Sequence, residues 1–584
     1  MKWTLENFKQ SGLINHFDAF FATHLQSDRP REIILVVLAL LRQANGRGNI
    51  AISLDQLCQT EYQVEDETFI FDSPAPETVK KALLGSGLLG KPGQAGPLVL
   101  EEELLYLQRY HAYQSRLVDN INRRLIDPPV EVTLGQQAAL SEWFTNPKAA
   151  GQREACLLAL KHRFMILTGG PGTGKTTTAF KILHLLQLAR VEAGLPALKM
   201  RLLAPTGKAA IRLTESVSSQ TQRLPDDSAL RTVLEVQAET IHRFLGFDPR
   251  NRTSFIHHQN HLVDCELILV DEASMIDLPL FCKLLEAIPQ QAQLILMGDP
   301  NQLASVEAGS VLKDLVNFEG APPAEPAQPQ TPNNVGALVE HHAHLNESFR
   351  FGDQMGLVNL SGAVLSGHSS IQDYFDQTGL QHFEVNTPGE LKNILIPQIK
   401  EIFSPLWSAP NAAEGLKRLG DQTILCAVRK GAFGVQGVND LSVQIQQEST
   451  ANTGCWPLMI TKNNPALGLF NGDIGLAWPS ESGTHAWFQV SGEPVSFPLG
   501  LLPQYEVAYG NTVHKSQGSE YQSVVLVLPP VMQEGLSREL LYTALTRSKV
   551  KFTFIGGMEV FQAAIGQQIR RKSGLSQSFR GREL

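Results

Sequence analysis

Gly169-Gly170-Pro171-Gly172-Thr173-Gly174-Lys175-Thr176 fits the phosphate-cradling pattern G-x-x-x-x-G-K-[ST] at every required position. Glycines let successive backbone N–H groups turn inward around an anion, and a following helix N-terminus adds a favourable partial charge. In that arrangement Lys175 reaches the β- and γ-phosphates of a nucleoside triphosphate. Thr176 offers its hydroxyl to magnesium, and Thr177 extends the cradle into the helix. Farther along, Asp271-Glu272 closes the apolar run 267–270. A carboxylate at the carboxyl end of a central parallel strand points into the ligand crevice. Asp271 there completes the magnesium shell with Thr176, and Glu272 activates the water that attacks the γ-phosphate. Two adjacent acids favour hydrolysis over phosphoryl transfer to a bound metabolite.

Such groups need a rigid frame. The runs 164–167, 201–204, 267–270 and 294–297 are short and β-rich, each followed by a helical stretch. Continuous apolar strands with helical connections indicate an α/β fold with a parallel sheet covered on both faces. After about 350 a second strand–helix region begins, with 423–428 and 523–528 as its clearest strands. Between them, the runs 456–461, 475–478, 486–490 and 495–497 predict a small inserted β-barrel or β-sheet module. Residues 1–125 read mostly as helices: 33–41 as a buried one, 101–123 as one alternating apolar and charged residues. They hold no catalytic constellation and read as a packing or partner-docking domain. The expected division is 1–125, 126–350, 351–440 with 506–584, and the insertion 441–505. The Pro-rich stretch 319–336 reads as a mobile surface loop.

The 584 residues include 49 Lys and Arg against 58 Asp and Glu, a net charge of −9. That balance neither supports nor excludes a nucleic-acid partner, because affinity comes from local basic surface facing phosphates. The six cysteines are scattered without CxxC spacing, which points to reduced thiols rather than a zinc ribbon or redox pair. The longest apolar run is too short to span a bilayer, and the N-terminus lacks a secretory pattern, so the expectation is a soluble, cytoplasmic protein.

Further segments go beyond generic nucleotide binding. Ala204-Pro205-Thr206-Gly207-Lys208-Ala209-Ala210, Thr240-Ile241-His242-Arg243-Phe244 and Val270-Asp271-Glu272-Ala273-Ser274 resemble motifs Ia, Ib and II of superfamily-one helicases. Gly298-Asp299-Pro300-Asn301-Gln302-Leu303 is similar to motif III, and Asn346-Glu347-Ser348-Phe349-Arg350 to motif IV. Val513-His514-Lys515-Ser516-Gln517-Gly518-Ser519-Glu520 and Tyr542-Thr543-Ala544-Leu545-Thr546-Arg547 resemble motifs V and VI. Within that superfamily the set is similar to the RecD family, helicase subunits of exodeoxyribonuclease V complexes.

The resemblance implies two RecA-like motor domains, a helical N-terminal domain and an SH3-like insertion. It also implies ATP with Mg2+ as cofactors and single-stranded DNA and duplex ends as partners. Movement would be 5′ to 3′, in a heterotrimer with RecB- and RecC-like subunits. Gln302 becomes a γ-phosphate sensor, Gln152 an adenine-reading amide with Gln136 and Gln137 as rivals, and Arg350 and Arg547 arginine fingers. Glu520 contacts nucleotide or couples it to DNA, while Pro205, Thr206, Lys208, Thr240, His242, Thr512 and His514 line the DNA track. Hydroxyls and a few cations suit a motor that grips backbone without reading sequence.

Phe244 is either a base-stacking or a core aromatic, and Arg570-Arg571-Lys572 either a DNA-facing run or a solvated helix end. His257, His258, His261, His341, His342 and His344 read as surface or linker histidines, without the companions of a metal site. Outside the ATP site no carboxylate cluster suggests a nuclease, so nuclease activity of a complex would lie in a partner. The strand-separating element is not located; 215–239 and 246–262 are candidates. The alternatives are a stand-alone RecD-like helicase, a non-helicase P-loop ATPase, a P-loop kinase and a degenerate structural subunit.

Overall fold

The computed structural model describes residues 1–584 except 27–30, 65–66, 91–95, 226–227, 248–253, 318–333, 350–354, 369, 450–452, 465, 482, 491–492 and 581–584. The N-terminal part is organised by the helix Glu32–Gly46, whose residues Ile34 to Leu41 are all buried. A helix apolar on every side must be enclosed, and smaller helices and strands enclose it. The strands are β1 (Ala51–Ser53), β2 (Glu61–Val64), β3 (Glu67–Ile70), β4 (Leu98–Glu101) and β5 (Leu104–Leu107). A helix over 101–123 does not form as expected. Residues 98–107 instead make an antiparallel hairpin turning at Glu102 (φ 51°), and the helix starts at Gln108 and runs to Leu125. The reason lies in burial on two sides: Leu105 faces the core around Glu32–Gly46, while Leu104 and Tyr106 face a second core shared with the next domain. Only a period of two serves both.

The first motor domain carries β6 (Phe164–Gly169), β7 (Met200–Ala204), β8 (Ala238–Thr240), β9 (Leu267–Val270), β10 (Gln293–Gly298) and β11 (His342–Leu345). Their order is β11-β6-β10-β9-β7-β8, with every pairing parallel. Ile268 and Val270 face one core, Leu267 and Leu269 the other, which is why these strands read as unbroken apolar runs. Of the Pro-rich stretch 319–336, residues up to 333 lie outside the described ones, and the last three begin the helix Asn334–Glu340 rather than a loop.

The second motor domain contains β12 (Leu380–Phe383) and β13 (Gln422–Cys426). The chain then makes an antiparallel module of β14 (Trp456–Ile460), β15 (Ile474–Ser480), β16 (Gly483–Val490), β17 (Glu493–Pro498) and β18 (Tyr505–Val507). It returns for β19 (Gly510–Thr512), β20 (Tyr521–Val527) and β21 (Ser548–Ile555). The motor sheet is parallel, in the order β12-β21-β20-β13-β19. The module has its own small core at Leu458, Ile460, Ala477, Ala486 and Phe488. Its order is β17-β16-β15-β14-β18, and among the described residues no ladder joins β17 to β18. It is therefore a sheet rather than a barrel closed by backbone pairing. Phe470, between β14 and β15, packs over Gly207 of the first motor domain.

Two features join the N-terminal part to the motor. Buried Arg124 donates to the carbonyls of Gln290 (3.2 Å), Ala292 (3.0 Å), Ile288 (3.3 Å) and Pro289 (3.1 Å). The final helix, Leu575–Arg580, leaves the second motor domain and buries Leu575 and Phe579 in the same core as Tyr106, Leu117 and Ile121. No helix among the described residues is long and apolar enough to cross a membrane. All six cysteines are free thiols, with burial raising Cys426 to about 12.

Candidate functional site

Beyond β6 the chain turns through Gly169–Gly174 into the helix Lys175–Glu192. Gly174 has φ +83°, and a Cβ there would run into the amide of Gln152. That amide donates from Nε2 to the Thr173 carbonyl (3.2 Å), so Gln152 rests against the loop. Its rivals are occupied elsewhere: Gln136 caps its own helix and bonds Leu185, and Gln137 bonds Val132. Thr173 Oγ1 donates to Gly170 O (2.8 Å), and Lys175 Nζ donates to Gly169 O (2.6 Å) and Gly170 O (3.0 Å). Thr177 Oγ1 accepts from Gln220 (3.2 Å).

Two strands away in the sheet, β9 delivers Asp271 and Glu272 to the same cavity. Asp271 Oδ1 accepts the backbone N–H of Glu272 (2.9 Å), and Glu272 sits at φ 52°, ψ 39°. A left-handed glutamate costs about 1–3 kcal/mol and persists only where its surroundings hold it. Burial, then the Glu272 carboxylate, pushes the Asp271 carboxyl up to about 6, against the opposing pull of Lys175 and Arg212. A buried acid so crowded gains from a cation. Magnesium, which takes few protein ligands beside phosphate oxygens, fits the pair Thr176 and Asp271 lining one cavity. Among the described residues no group of three or more His, Cys, Asp or Glu forms a separate metal cluster.

The far wall comes from the second motor domain. Arg547, 3% exposed, donates from Nη2 to Gln302 Oε1 (2.8 Å) and from Nη1 to Ser519 O (3.0 Å). Burial pulls its pKa down, while Glu272 and Glu520 oppose that shift. Gln302 Nε2 donates to Asp299 Oδ2 (3.2 Å), and the Tyr542 hydroxyl donates to the same oxygen (2.9 Å). Leu303 N bonds Thr543 Oγ1 (2.9 Å), and Gln517 returns a bond to Leu303 O (2.8 Å). Glu520 pairs with Arg212 Nη2 (2.8 Å), whose Nη1 reaches Gly518 O (2.9 Å). The cavity between the domains measures about 470 Å³ and is lined by loop, acids, Gln302, Arg212, Glu520 and Arg547 alike. Phe349 enters it and bonds Gly172 O through its N–H (2.8 Å). Arg350 lies outside the described residues.

The expected DNA residues lie elsewhere, at the carboxyl ends of β7 and the edge strand β8 in the first motor sheet and of the edge strand β19 in the second. Ala204 of β7 pairs with Thr240 of β8, so Pro205, Thr206 and Lys208 stand beside Thr240 and His242. Thr206 and Thr240 cap helices, accepting from Ala209 N (3.3 Å) and Arg243 N (3.2 Å), and Thr512 accepts from Lys515 N (3.3 Å). His242 and His514 are exposed. Phe244 is core, 5% exposed.

Several expectations are corrected. His341 is buried and His342 half-buried, so neither is a surface or linker residue, whereas His344 is exposed as expected. The His341 ring lies 4.3 Å from that of His162, tilted 60° to it, and His342 and His344 of β11 share the Thr168 hydroxyl (2.7 and 2.8 Å). Burial brings His342 down to about 4. Their apolar neighbours Ala343 and Leu345 drew the segment into the sheet. Arg571 is not a free DNA-facing cation, being bonded to main-chain carbonyls. The surface reading holds for the other group: His258 and His261 are exposed, and His261 stacks 4.8 Å from His257.

Four site residues had no assigned role: Asp299, Tyr542, Phe349 and Arg212. The first three stand inside the quoted motifs, and Arg212 follows Lys208 by one helical turn, a spacing that signals a shared face.

Family profiles described as "AAA domain", "UvrD-like helicase C-terminal domain" and "RecBCD enzyme subunit RecD, N-terminal domain" match residues 152–308, 508–555 and 10–106. The chain is 33% identical to "RecBCD enzyme subunit RecD" of Mycolicibacterium smegmatis, over 95% of each chain. It is 32% identical to the protein of the same name from Mycobacterium tuberculosis, over 97% of this chain and 95% of that one. It is 28% identical to "ATP-dependent RecD2 DNA helicase" of Deinococcus radiodurans, over 80% of this chain and 57% of that protein.

Proposed function

The chain belongs to the RecD family and is an ATP-dependent DNA helicase, and on that premise we propose that it is the 5′-to-3′ motor subunit of a RecBCD-like helicase–nuclease. The full-length likeness to proteins named as RecBCD subunits, with the N-terminal profile over 10–106, favours that role over a stand-alone helicase. RecB- and RecC-like chains are its partners, the complex acts on duplex ends in break repair and recombination, and its place is the cytoplasm.

One observation carries the mechanism: Gln302 of the first motor domain and Arg547 of the second meet at 2.8 Å over the cavity that holds Lys175, Asp271 and Glu272. Lys175 turns from its loop carbonyls to the β- and γ-phosphates, and Gln152, whose amide rests on the Thr173 carbonyl, reads the adenine. Magnesium, held by the Thr176 hydroxyl and Asp271, neutralises phosphate charge when bound. Glu272 takes a proton from the attacking water, and Gln302 orients that water against the γ-phosphorus. Arg547 and Arg350 steady the charge on the departing phosphoryl group. Because Arg547 and Gln302 belong to different domains, loss of the γ-phosphate changes what holds the domains together. The edge residues Thr206, Lys208, Thr240, His242, Thr512 and His514 carry that change to a DNA backbone.

The test is ATP turnover by the full chain with and without single-stranded DNA, beside Lys175→Gln. DNA-stimulated turnover abolished by the substitution is expected; DNA-independent turnover, or turnover that survives it, sinks the motor. Duplexes with 5′ or 3′ tails check polarity, and unwinding from a 3′ tail alone contradicts it. Co-expression of the full chain with RecB- and RecC-like subunits checks assembly, where failure to co-purify contradicts the partner assignment.

A further inference from the structure

We propose that Arg571 is a positioning residue for ATP turnover, tying the loop behind Gln302 to the N-terminal domain so that this domain sets the rate of hydrolysis. The inference rests on the motor reading above. Gln302 opens the loop 302–310, and its near end is held at the cavity by Asp299, Thr543 and Gln517. The far end is held by Arg571, which comes from the extension of the second motor domain. Its Nη1 donates to the carbonyls of Glu307 (3.0 Å) and Gly309 (2.9 Å) and reaches Ser305 Oγ (3.4 Å). Ser305 Oγ donates to the same two carbonyls (3.0 and 3.1 Å), closing a small cage.

The third member of the junction is the N-terminal domain. Gly309 N donates to Gly48 O (2.9 Å), Lys572 N to Asn49 Oδ1 (2.7 Å), and Ile50 N to Lys572 O (2.9 Å). Gly48 has φ +88°, and a Cβ there would lie 2.5 Å from the Arg571 guanidinium carbon. Only glycine lets the two backbones and the guanidinium come this close. One residue on, Ser573 donates to Asp314 Oδ2 (2.7 Å) in the helix that follows the loop.

The chemistry of the contact identifies its task. A guanidinium carries five donors in a rigid fork, and here Nη1 bonds two carbonyls and a hydroxyl. It fixes main-chain shape across three segments that are distant in sequence. The same loop presents Gln302 to Arg547 at its other end, so displacement of Gly48–Ile50 is transmitted along a short, doubly anchored segment. A protein partner gripping the N-terminal domain would thereby bias turnover at a cavity it does not touch.

The experiment uses the full chain and compares wild type, Arg571→Ala, Arg571→Lys and Asn49→Ala by single-stranded-DNA-stimulated ATP turnover. The readouts are kcat, KM for ATP, and the DNA concentration at half-stimulation. Expected is a fall in kcat of about three- to tenfold for Arg571→Ala and Asn49→Ala, with KM and half-stimulation within about twofold of wild type. Arg571→Lys should recover part of the loss. Unchanged kcat in both Arg571→Ala and Asn49→Ala overturns the proposal. So does an Arg571→Ala defect confined to half-stimulation, which would make it a DNA contact. Should Arg571→Ala fail to fold, Asn49→Ala decides alone. Absence of stimulation in wild type overturns the motor reading itself, and the positioning role with it.

Discussion

The centre of the first motor sheet and its β7–β8 edge use the same kinds of residues in opposite ways. At the centre, Asp299, Gln302, Tyr542 and Arg547 are nearly inaccessible and bonded to one another across two domains. At the edge, the hydroxyls of Thr206 and Thr240 are spent on capping their own helices, and His242 is open to solvent. The centre is therefore built for chemistry that tolerates little displacement. In the function proposed above, the edge presents first-turn backbone and a few side chains to a DNA strand that slides. A preorganised, water-poor site multiplies each electrostatic contact, whereas an exposed track keeps each contact weak enough to release.

That contrast can be broken most forcefully at Arg547. Arg547→Ala should lower DNA-stimulated kcat by about 10³-fold while leaving KM for ATP nearly unchanged; a comparable rise in KM would show that it serves binding instead. Glu272→Gln should cost about 10²-fold in kcat yet still bind nucleotide, as followed with a fluorescent ATP analogue. Retained turnover would remove it as the water-activating base. Tyr542→Phe removes one of two donors to Asp299 Oδ2 and should slow turnover by about tenfold, without altering DNA half-stimulation. An effect on DNA affinity alone would mean that the centre and edge are not separable. The smallest effect belongs to the edge: Thr240→Ala removes a cap worth about 1 kcal/mol. It should weaken single-stranded DNA binding in an anisotropy titration while kcat at saturating DNA stays at the wild-type level. A large kcat loss there would contradict the division.

Legibility followed the same divide. The run Phe164–Gly169, the glycine loop and Asp271-Glu272 could be read directly, because a buried parallel strand is continuously apolar and a phosphate loop needs its residues consecutively. Gln152 was separable from Gln136 and Gln137 only in three dimensions, where one rests on the loop and another caps a helix. Tyr542 and Asp299 stood in plain view without a role, since a hydroxyl and a carboxylate on different domains declare their bond only on folding. Residues 101–107 were misread as helix because the charged turn of the hairpin 98–107 mimics the spacing of an amphipathic helix, and two separate cores decided otherwise. Arg571 looked like one of three cations in a row until the carbonyls of Glu307 and Gly309 were placed beside it.

By itself the sequence determined that this protein binds a nucleoside triphosphate on a parallel sheet, hydrolyses it and couples it to DNA. Each of those properties rests on short segments whose residues act as neighbours along the chain. The tertiary structure alone decided which side chains close the cavity from the second domain and which hydroxyls are consumed as caps. It also decided that the N-terminal domain, the loop behind Gln302 and the C-terminal extension meet at one junction. Those outcomes depend on packing between segments hundreds of residues apart, where burial and hydrogen-bond satisfaction select partners that local spacing does not encode.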